Sequence, residues 1–268
     1  MPLIRDYREE RGVLIFDTQI DQNLSTYDAK HLDELANAEQ MHFWTQSRRD
    51  KICQIFTRFV QKNARVLEIG GGTGFVAEKL NSLGFDVEMA DIHSNSLRYA
   101  QNRGVQKLYQ FDIFNPPFEN EFDVIALFDV LEHFNNPELA LKCVKKMLKV
   151  GGVVILTVPA HQWLWSRDDV IAGHDRRYSK RSLRKTFLNG DLNPTYFEYF
   201  FISILPFLWL RTLIRKDRGN SLNESERFEM RIDPISNKLL ALLTKCDFFL
   251  KPALFNKVGG SLLGIARC

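Results

Sequence analysis

The chain has 268 residues and a formal net charge of +3, with 45% hydrophobic and 26% charged side chains. This balance excludes a disordered chain, a collagen-like repeat and a disulfide scaffold. A total of +3 is too small to indicate a nucleic-acid partner. The charge is unevenly placed, however, because residues 176–218 carry ten basic and three acidic side chains, a net +7 that leaves −4 elsewhere.

The cysteine and hydropathy patterns give the first expectations about location. Four scattered cysteines show no CxxC pair, so we expect free thiols and no metal site. Residues 1–10 are charged and unlike a signal peptide, which favours a cytoplasmic protein. The most apolar segment, residues 196–214, is interrupted by Glu198, Pro206 and Arg211. We expect no membrane-spanning helix there, and peripheral membrane contact through residues 196–218 stays open.

Taken in chain order, residues 1–30 show little periodicity and an amphipathic helix is predicted from Thr45. The predicted strands that follow are residues 65–69, 87–90, 108–111, 122–128 and 153–158, with helices from residue 75 to before Gly84 and at 94–102. The clearest helix starts after the cap residue Asn136, with Leu139 on its apolar face, and is predicted to end at Gly151 and Gly152. Alternating strands and helices indicate a parallel, doubly wound α/β sheet, whose ligand site lies at the carboxyl ends of the strands.

A glycine-rich loop follows the first of these five strands. Gly70, Gly72 and Gly74 let the backbone approach a cofactor without an intervening Cβ. The same loop fits the dinucleotide fingerprint, and Asp91 after the second strand would suit the ribose of either cofactor class. A nicotinamide-dependent oxidoreductase therefore stays open at this point.

Three further features favour a cationic cofactor over a pyrophosphate. Glu68 stands two residues before the first loop glycine, where a carboxylate suits ammonium and sulfonium charges. Asp112 and Ile113 follow the third strand, where an acid and an apolar side chain suit an adenine ring. Phe128, Asp129 and the Leu-Glu-His segment that ends at residue 133 follow the fourth strand.

With these motifs, residues 42–188 resemble the class I S-adenosylmethionine-dependent methyltransferases, and within them the small-molecule, ubiquinone-biosynthesis-like "type 11" group. The resemblance implies a Rossmann-like sheet of seven strands, the last antiparallel, with helices on both faces. It also implies S-adenosylmethionine as the cofactor. The implied cofactor-binding residues are Glu68, Gly70, Gly72 and Gly74 in the loop, Asp91 and Ile92 at the ribose, Asp112 and Ile113 at the adenine, and Phe128 and Asp129 near the methionine end.

The segment Gly-His-Asp-Arg-Arg-Tyr at residues 173–178 is similar to a substrate loop found in one branch of that family, together with an early His-Phe-Trp and Arg. Methyl transfer needs a base only where the acceptor must lose a proton; His133, His161 and His174 are candidates, and we select His133 and His174. The candidate substrate-binding residues are Trp44, Arg48, His161, Arg176, Arg177 and Tyr178. Structural alternatives stay open: a buried His133, a loop role for His174, and an ion pair of one arginine with Glu132 or Asp168.

The last part of the sheet is expected to carry an insertion. Strand six is predicted at residues 193–201 and strand seven at 260–267, and the stretch between them is too long for a bare loop. We expect four parts: an N-terminal segment with cofactor-covering helices (1–62), the core (63–201), a helical lid (202–258) and the final strand (259–268). A subunit interface or a simple cap is the alternative to a lid.

The expected function is methyl transfer, with O-methylation favoured, to a small hydrophobic or lipid-like and partly anionic acceptor. A non-catalytic protein that keeps the fold and binds a membrane or partner through its basic lid is the alternative from another class. The sequence carries no signal for the oligomeric state.

Overall fold

Strands and helices alternate along most of the chain in the computed structural model, which describes residues 6–16, 31–215, 232–249 and 257–268. The strands are β1 (Arg8–Glu10), β2 (Val13–Ile15), β3 (Arg65–Ile69), β4 (Asp86–Asp91), β5 (Leu108–Gln110), β6 (Phe122–Phe128), β7 (Leu148–Pro159), β8 (Asn193–Phe200) and β9 (Ser261–Arg267). The helices are α1 (His31–Glu39), α2 (Phe43–Phe59), α3 (Phe75–Ser82), α4 (Ser94–Asn102), α5 (Pro137–Met147), α6 (Arg167–Ile171), α7 (Lys180–Asn189), α8 (Leu205–Ile214) and α9 (Pro234–Phe249).

The sheet has the order β1-β2-β5-β4-β3-β6-β7-β9-β8. Strands β3 to β7 pair in parallel, whereas β9 is antiparallel to both of its neighbours, β7 and β8. The seven strands from β3 to β9 therefore confirm the predicted doubly wound sheet with a reversed last strand. Because β3 to β7 pair in parallel, their carboxyl ends lie at one edge of the sheet.

An N-terminal hairpin adds two strands that the sequence analysis did not predict. β1 and β2 pair antiparallel through a turn at Arg11 and Gly12, both with positive φ, and β2 continues the sheet beside β5. Each strand has three residues, which is too short for a period-two pattern to stand out. The glycine in the turn was the available signal.

The sheet separates two hydrophobic clusters, and β6 supplies side chains to both. Ile125 and Leu127 lie in one cluster, and Val124, Ala126 and Phe128 in the other. The continuous apolar run of this strand is thus buried on both faces, as parallel strands in such sheets require.

The predicted helix after Asn136 is confirmed at its start and wrong at its end. The Asn136 side chain accepts the Leu139 N–H at 3.0 Å, and Pro137 is the first helical residue. However, Leu139 is exposed and Leu141 takes the buried position. The helix ends at Met147, because the chain enters β7 directly and the Gly151–Gly152 pair lies within that strand, beside a register shift against β6. We expected those glycines to end the helix.

Helices α8 and α9 lie between β8 and β9, where a helical insertion was predicted. α9 packs on α2, where Thr244 and Ser47 share a buried hydrogen bond of 2.7 Å and Asn237 accepts the Phe43 N–H at 2.8 Å. The polar stretch 218–229 and residues 250–256 of the expected lid lie outside the described residues. The apolar segment 196–214 is divided between β8 and α8. Within the described ranges, no helix has both the length and the apolar character needed to cross a membrane.

Candidate active site at the carboxyl ends of the strands

The glycine loop between β3 and α3 turns sharply against the end of the sheet. Gly70, Gly72 and Gly74 have φ values of +70°, +56° and +78°, a region that favours glycine. A Cβ on Gly70 would lie 2.7 Å from Cγ2 of Val130, and one on Gly74 would lie 2.8 Å from Cα of Ala100. At Gly72 the nearest described atom would be 3.8 Å away. Packing therefore requires two of the glycines, while the third faces an open side of the loop.

Two buried carboxylates flank this loop. Glu68 is 1% exposed, and its Oε2 has no hydrogen-bond partner among the described residues. Burial raises the pKa of Glu68 to about 8, and the Arg48 guanidinium offsets part of that rise. Asp91 accepts the His93 N–H at 2.8 Å and also bonds the Gly72 N–H, so it ties the loop to the end of β4. Burial also raises the pKa of Asp91.

Glu39 of α1 contacts the glycine loop and was not among the residues predicted from the sequence. Its carboxylate accepts the Thr73 hydroxyl at 2.5 Å and pairs with Arg103 at 2.8 Å. Burial is the largest influence on Glu39 and raises its pKa, although both partners oppose the rise. The contact fixes α1 across the loop, and nothing in the local pattern around Glu39 indicated it.

The remaining predicted cofactor residues lie at neighbouring strand ends. The Ile92 carbonyl accepts the Gln110 side chain at 2.9 Å, and Asp112 accepts the Phe114 N–H at 3.0 Å. Ile113 is buried in the hydrophobic core. Phe128 packs edge-on against Phe56, with ring centroids 6.1 Å apart.

Arg48 reaches from α2 to the end of β6. Its guanidinium donates to the Phe128 carbonyl at 2.7 Å, forms an ion pair with Asp129 and lies 5.5 Å from the Trp44 ring. Asp129 has φ of +56°, which costs a non-glycine residue energy and is held here by this pairing and by the sheet. The structure brings Trp44, Arg48, Phe128 and Asp129 together.

A cluster of one carboxylate, Glu132, and two imidazoles, His133 and His174, lies beyond Asp129. Glu132 is fully buried, and neither of its side-chain oxygens has a hydrogen-bond partner in another of the described residues. The Nε2 atom of His174 is 3.9 Å from Glu132 Oε1, and the His133 and His174 rings are 5.0 Å apart. Burial, with the neighbouring His174, lowers the pKa of His133 to about 4. His133 is therefore neutral at neutral pH.

Asp169 of α6 organises the substrate loop, and the sequence analysis did not single it out. Its buried carboxylate accepts Nδ1–H of His174 at 2.9 Å and pairs with Arg177 at 2.7 Å. It also accepts the Ser166 N–H at 2.9 Å, which completes a capping box. One of the two loop arginines is thus in a structural ion pair, but with an acid we had not named. The Ser-x-x-Asp spacing of the capping box was the signal that pointed to it.

The other predicted substrate residues are less central. Arg176 contacts Asp175 at 3.5 Å and the Asn135 carbonyl. Tyr178 is buried in the hydrophobic core. His161 is stacked between Trp163 and Tyr199, with centroids 5.3 and 4.7 Å away. Burial lowers the pKa of His161, and Arg177 adds to that effect.

Comparison with known proteins agrees with this geometry. A family model described as a methyltransferase domain matches residues 11–195. The ubiquinone biosynthesis O-methyltransferase of Xanthomonas oryzae pv. oryzae (strain PXO99A) is 28% identical over 101 residues, which are 35% of this chain and 42% of that protein. The chain thus spans less than half the length of that relative.

Two solved structures share the fold. A SAM-dependent methyltransferase from Archaeoglobus fulgidus matches with a TM-score of 0.53 and 14% identity, over 88% of this chain and 99% of the other. Phosphoethanolamine N-methyltransferase 2 from Haemonchus contortus, solved in complex with S-adenosyl-L-methionine, matches with a TM-score of 0.53 and 19% identity, over 84% and 52% of the two chains.

Proposed function

Because this chain belongs to the methyltransferase-domain family and is an S-adenosylmethionine-dependent enzyme, we propose that it transfers the methyl group to an oxygen atom of a small, largely apolar acceptor. The observation that carries this proposal is the pair of imidazoles beyond β6, His133 and His174. Each one has its Nδ1–H held by an oxygen atom, which leaves Nε2 as the atom that can accept a proton, and the two ring centroids are 5.0 Å apart.

The loop end of the sheet fits the cofactor. When it is bound, S-adenosylmethionine supplies a methyl group on a positively charged sulfur. The orphaned oxygen of Glu68 would face this cationic end of the ligand, and the open side of Gly72 leaves room for it. Asp91 and Ile92 would hold the ribose, Asp112 and Ile113 the adenine, and Phe128 and Asp129 the methionine end.

An acceptor hydroxyl must lose its proton during transfer, and a positioned base speeds that step. The His174 ring donates Nδ1–H to the Asp169 carboxylate, which fixes its orientation and leaves Nε2 as the basic atom. His133 is neutral and is held at Nδ1 by the Gly173 carbonyl. We therefore propose that His174 accepts the proton of the acceptor hydroxyl, with His133 beside it as a neutral hydrogen-bond partner.

Helices α8 and α9 would cover the bound acceptor and contact a lipid surface. Their large exposed side chains are Phe207, Trp209, Leu210, Leu213, Ile214, Ile235, Leu239 and Leu242. The basic side chains Arg211 and Arg215 are both paired with Asp168, whereas Lys216 and Arg218 lie outside the described residues. We expect contact with a lipid surface to depend on apolar area more than on lipid charge. Pelleting with neutral and with anionic vesicles, using Trp209→Glu as the variant, tests this expectation.

Formation of S-adenosylhomocysteine from S-adenosylmethionine and apolar phenols tests the proposed reaction. His174→Ala should lower kcat by about 10²–10⁴-fold, the usual contribution of a general base. Its affinity for S-adenosylhomocysteine should stay that of the parent protein. Asp175→Asn is the matched control, because this neighbouring carboxylate is exposed and faces Arg176. Cofactor binding without turnover for any hydroxylated acceptor would favour the non-catalytic alternative.

A further inference from the structure

We propose that Glu132, His133 and His174 bind a divalent transition-metal cation, with Zn²⁺ as the best match. The scattered cysteines had led us to expect no metal site, since the usual ligand spacings are missing from the sequence. The fold creates this cluster from two separate segments. Glu132 and His133 follow β6, and His174 arrives from the loop after α6.

The distances are close to those of a metal centre. One potential ligand atom from each of the three residues lies within 4.8 Å of the other two, and His174 Nε2 is 3.9 Å from Glu132 Oε1. Zinc bonds of about 2.0–2.2 Å in a tetrahedron place ligand atoms roughly 3.3 Å apart. Small side-chain rotations would therefore close the cluster around an ion.

The two histidines are held as metal ligands usually are. His133 donates Nδ1–H to the Gly173 carbonyl at 3.0 Å, and His174 donates Nδ1–H to Asp169 at 2.9 Å. Metal-binding histidines commonly donate their other ring N–H to a carbonyl or a carboxylate, which fixes the tautomer and the ring. These bonds leave Nε2 as the ligand atom of each ring, and His174 Nε2 lies 3.9 Å from Glu132 Oε1.

The arginines around the cluster form their ion pairs with other carboxylates and not with Glu132. Arg48 pairs with Asp129, and Arg177 pairs with Asp169. Glu132 is buried, and neither of its side-chain oxygens has a hydrogen-bond partner in another of the described residues. A buried carboxylate in this state must carry a proton or be neutralised by a cation. The two imidazole rings beside it, each held at Nδ1 by an oxygen atom, favour the cation.

The donor set selects the type of ion. Two imidazole nitrogens and one carboxylate suit Zn²⁺, Co²⁺ and similar transition metals, whereas Mg²⁺ and Ca²⁺ prefer oxygen ligands alone. Three protein ligands also leave a coordination position open. If the proposed function holds, that position would take the acceptor oxygen and lower the pKa of its hydroxyl. Because one Nε2 lone pair cannot both bind an ion and accept a proton, His174 would hold the ion in the metal-bound protein and would act as the base only in its absence.

Cobalt titration of the full-length protein, stripped of metal with a chelator, tests the site. We expect one Co²⁺ per chain with the intense visible absorption of low-coordinate cobalt, and displacement of that absorption by Zn²⁺. Glu132→Gln and His174→Ala should abolish the absorption. Asp169→Asn should weaken binding about 10–100-fold, as expected for a group that holds a ligand in place. His161→Ala is the control and should bind as the parent does, since it lies outside the cluster.

Absence of the cobalt absorption, or parent-like binding by Glu132→Gln, would overturn the proposal. Thermal unfolding of the parent with and without Zn²⁺ gives a readout that needs no variant. Binding to the folded state must raise Tm with increasing Zn²⁺, and an unchanged Tm also contradicts the site. These measurements use neither cofactor nor acceptor. Their failure would leave the proposed methyl transfer intact, and inactivity of a protein that binds Co²⁺ would count against the methyl transfer alone.

Discussion

The cofactor end and the acceptor end of this site are built in different ways. The glycine loop, Glu68 and Asp91 take their positions from β3, β4 and the turns directly after them. On the acceptor side, Asp169 of α6 holds His174 and Arg177 of the substrate loop, while Asp168 joins α6 to α8. The first half depends mainly on backbone conformation, although Glu39 of α1 and Arg48 of α2 also contact it, and the second depends on ion pairs. The two halves should therefore respond to different substitutions.

The largest effect on stability is expected at Asp169, whose carboxylate holds both His174 and Arg177 on the acceptor side. Asp169→Asn removes the charge that pairs with the Arg177 guanidinium, whose side chain is only 15% exposed. Leaving a buried charge without its partner typically costs about 3–5 kcal/mol of unfolding free energy. Urea unfolding measures this loss. In the protein that remains folded, affinity for S-adenosylhomocysteine should be unchanged, and a matching loss of that affinity would contradict the separation of the two halves.

On the cofactor side, substitution of two loop glycines should separate packing from binding. Gly72→Ala puts a Cβ where the loop is open, so its stability cost should be only the roughly 1–2 kcal/mol of the left-handed backbone. Gly74→Ala adds a clash 2.8 Å from Cα of Ala100 and should cost more. Unfolding measurements give both values. Calorimetry should show lost cofactor affinity for Gly72→Ala, and retained affinity there would place the cofactor away from this face.

The pH dependence of cofactor binding sharpens the role of Glu68. Burial raises its pKa to about 8 in the free protein, so the carboxyl is protonated below that pH. A cationic cofactor favours the carboxylate, and binding below pH 8 must release a proton. Affinity should then rise with pH by at most about tenfold per unit and level off above pH 8. Calorimetry in buffers of different ionisation enthalpy measures the proton release.

Glu68→Gln is the control for this titration, because the amide keeps the shape of the side chain and cannot ionise. The variant should bind the cofactor with a flat pH profile. The same proton also affects stability. Since the folded pKa lies above the unfolded one, the contribution of Glu68 to stability is complete below about pH 4.5 and is lost as pH rises toward 8. A parent-like pH profile in Glu68→Gln would show that another group releases the proton.

The same contrast explains what could be predicted from the sequence. The strand at residues 65–69 and the helix at 94–102 have the bounds expected from periodicity, since both depend on local pattern. Asp169 and Glu39 act on residues that other segments supply, so no spacing rule pointed to their partners. The Gly151–Gly152 pair misled us because glycine both ends helices and permits irregular strands, and only the pairing with β6 decides between them.

The smallest effect on stability is expected at the link between α6 and α8. Asp168 pairs with Arg211 at 2.6 Å and with Arg215 at 3.0 Å, and the Arg167 N–H donates to the Arg215 carbonyl. Arg211 is half exposed, so these pairs should contribute less than about 1 kcal/mol. Asp168→Asn should therefore leave Tm nearly unchanged.

The same substitution should nevertheless loosen α8, because Asp168 of α6 is paired with Arg211 of α8 and with Arg215 at its end. Hydrogen exchange of residues 205–214 should become faster, while that of the glycine loop stays the same. KM for the acceptor should rise without a change in cofactor affinity. Arg184→Gln is the matched control, because Arg184 contacts the Phe197 ring on another part of the surface. Equal acceleration of exchange in α8 and in the glycine loop would show that the two halves move as one unit. The two halves would then differ in the contacts that hold them and not in their dynamics.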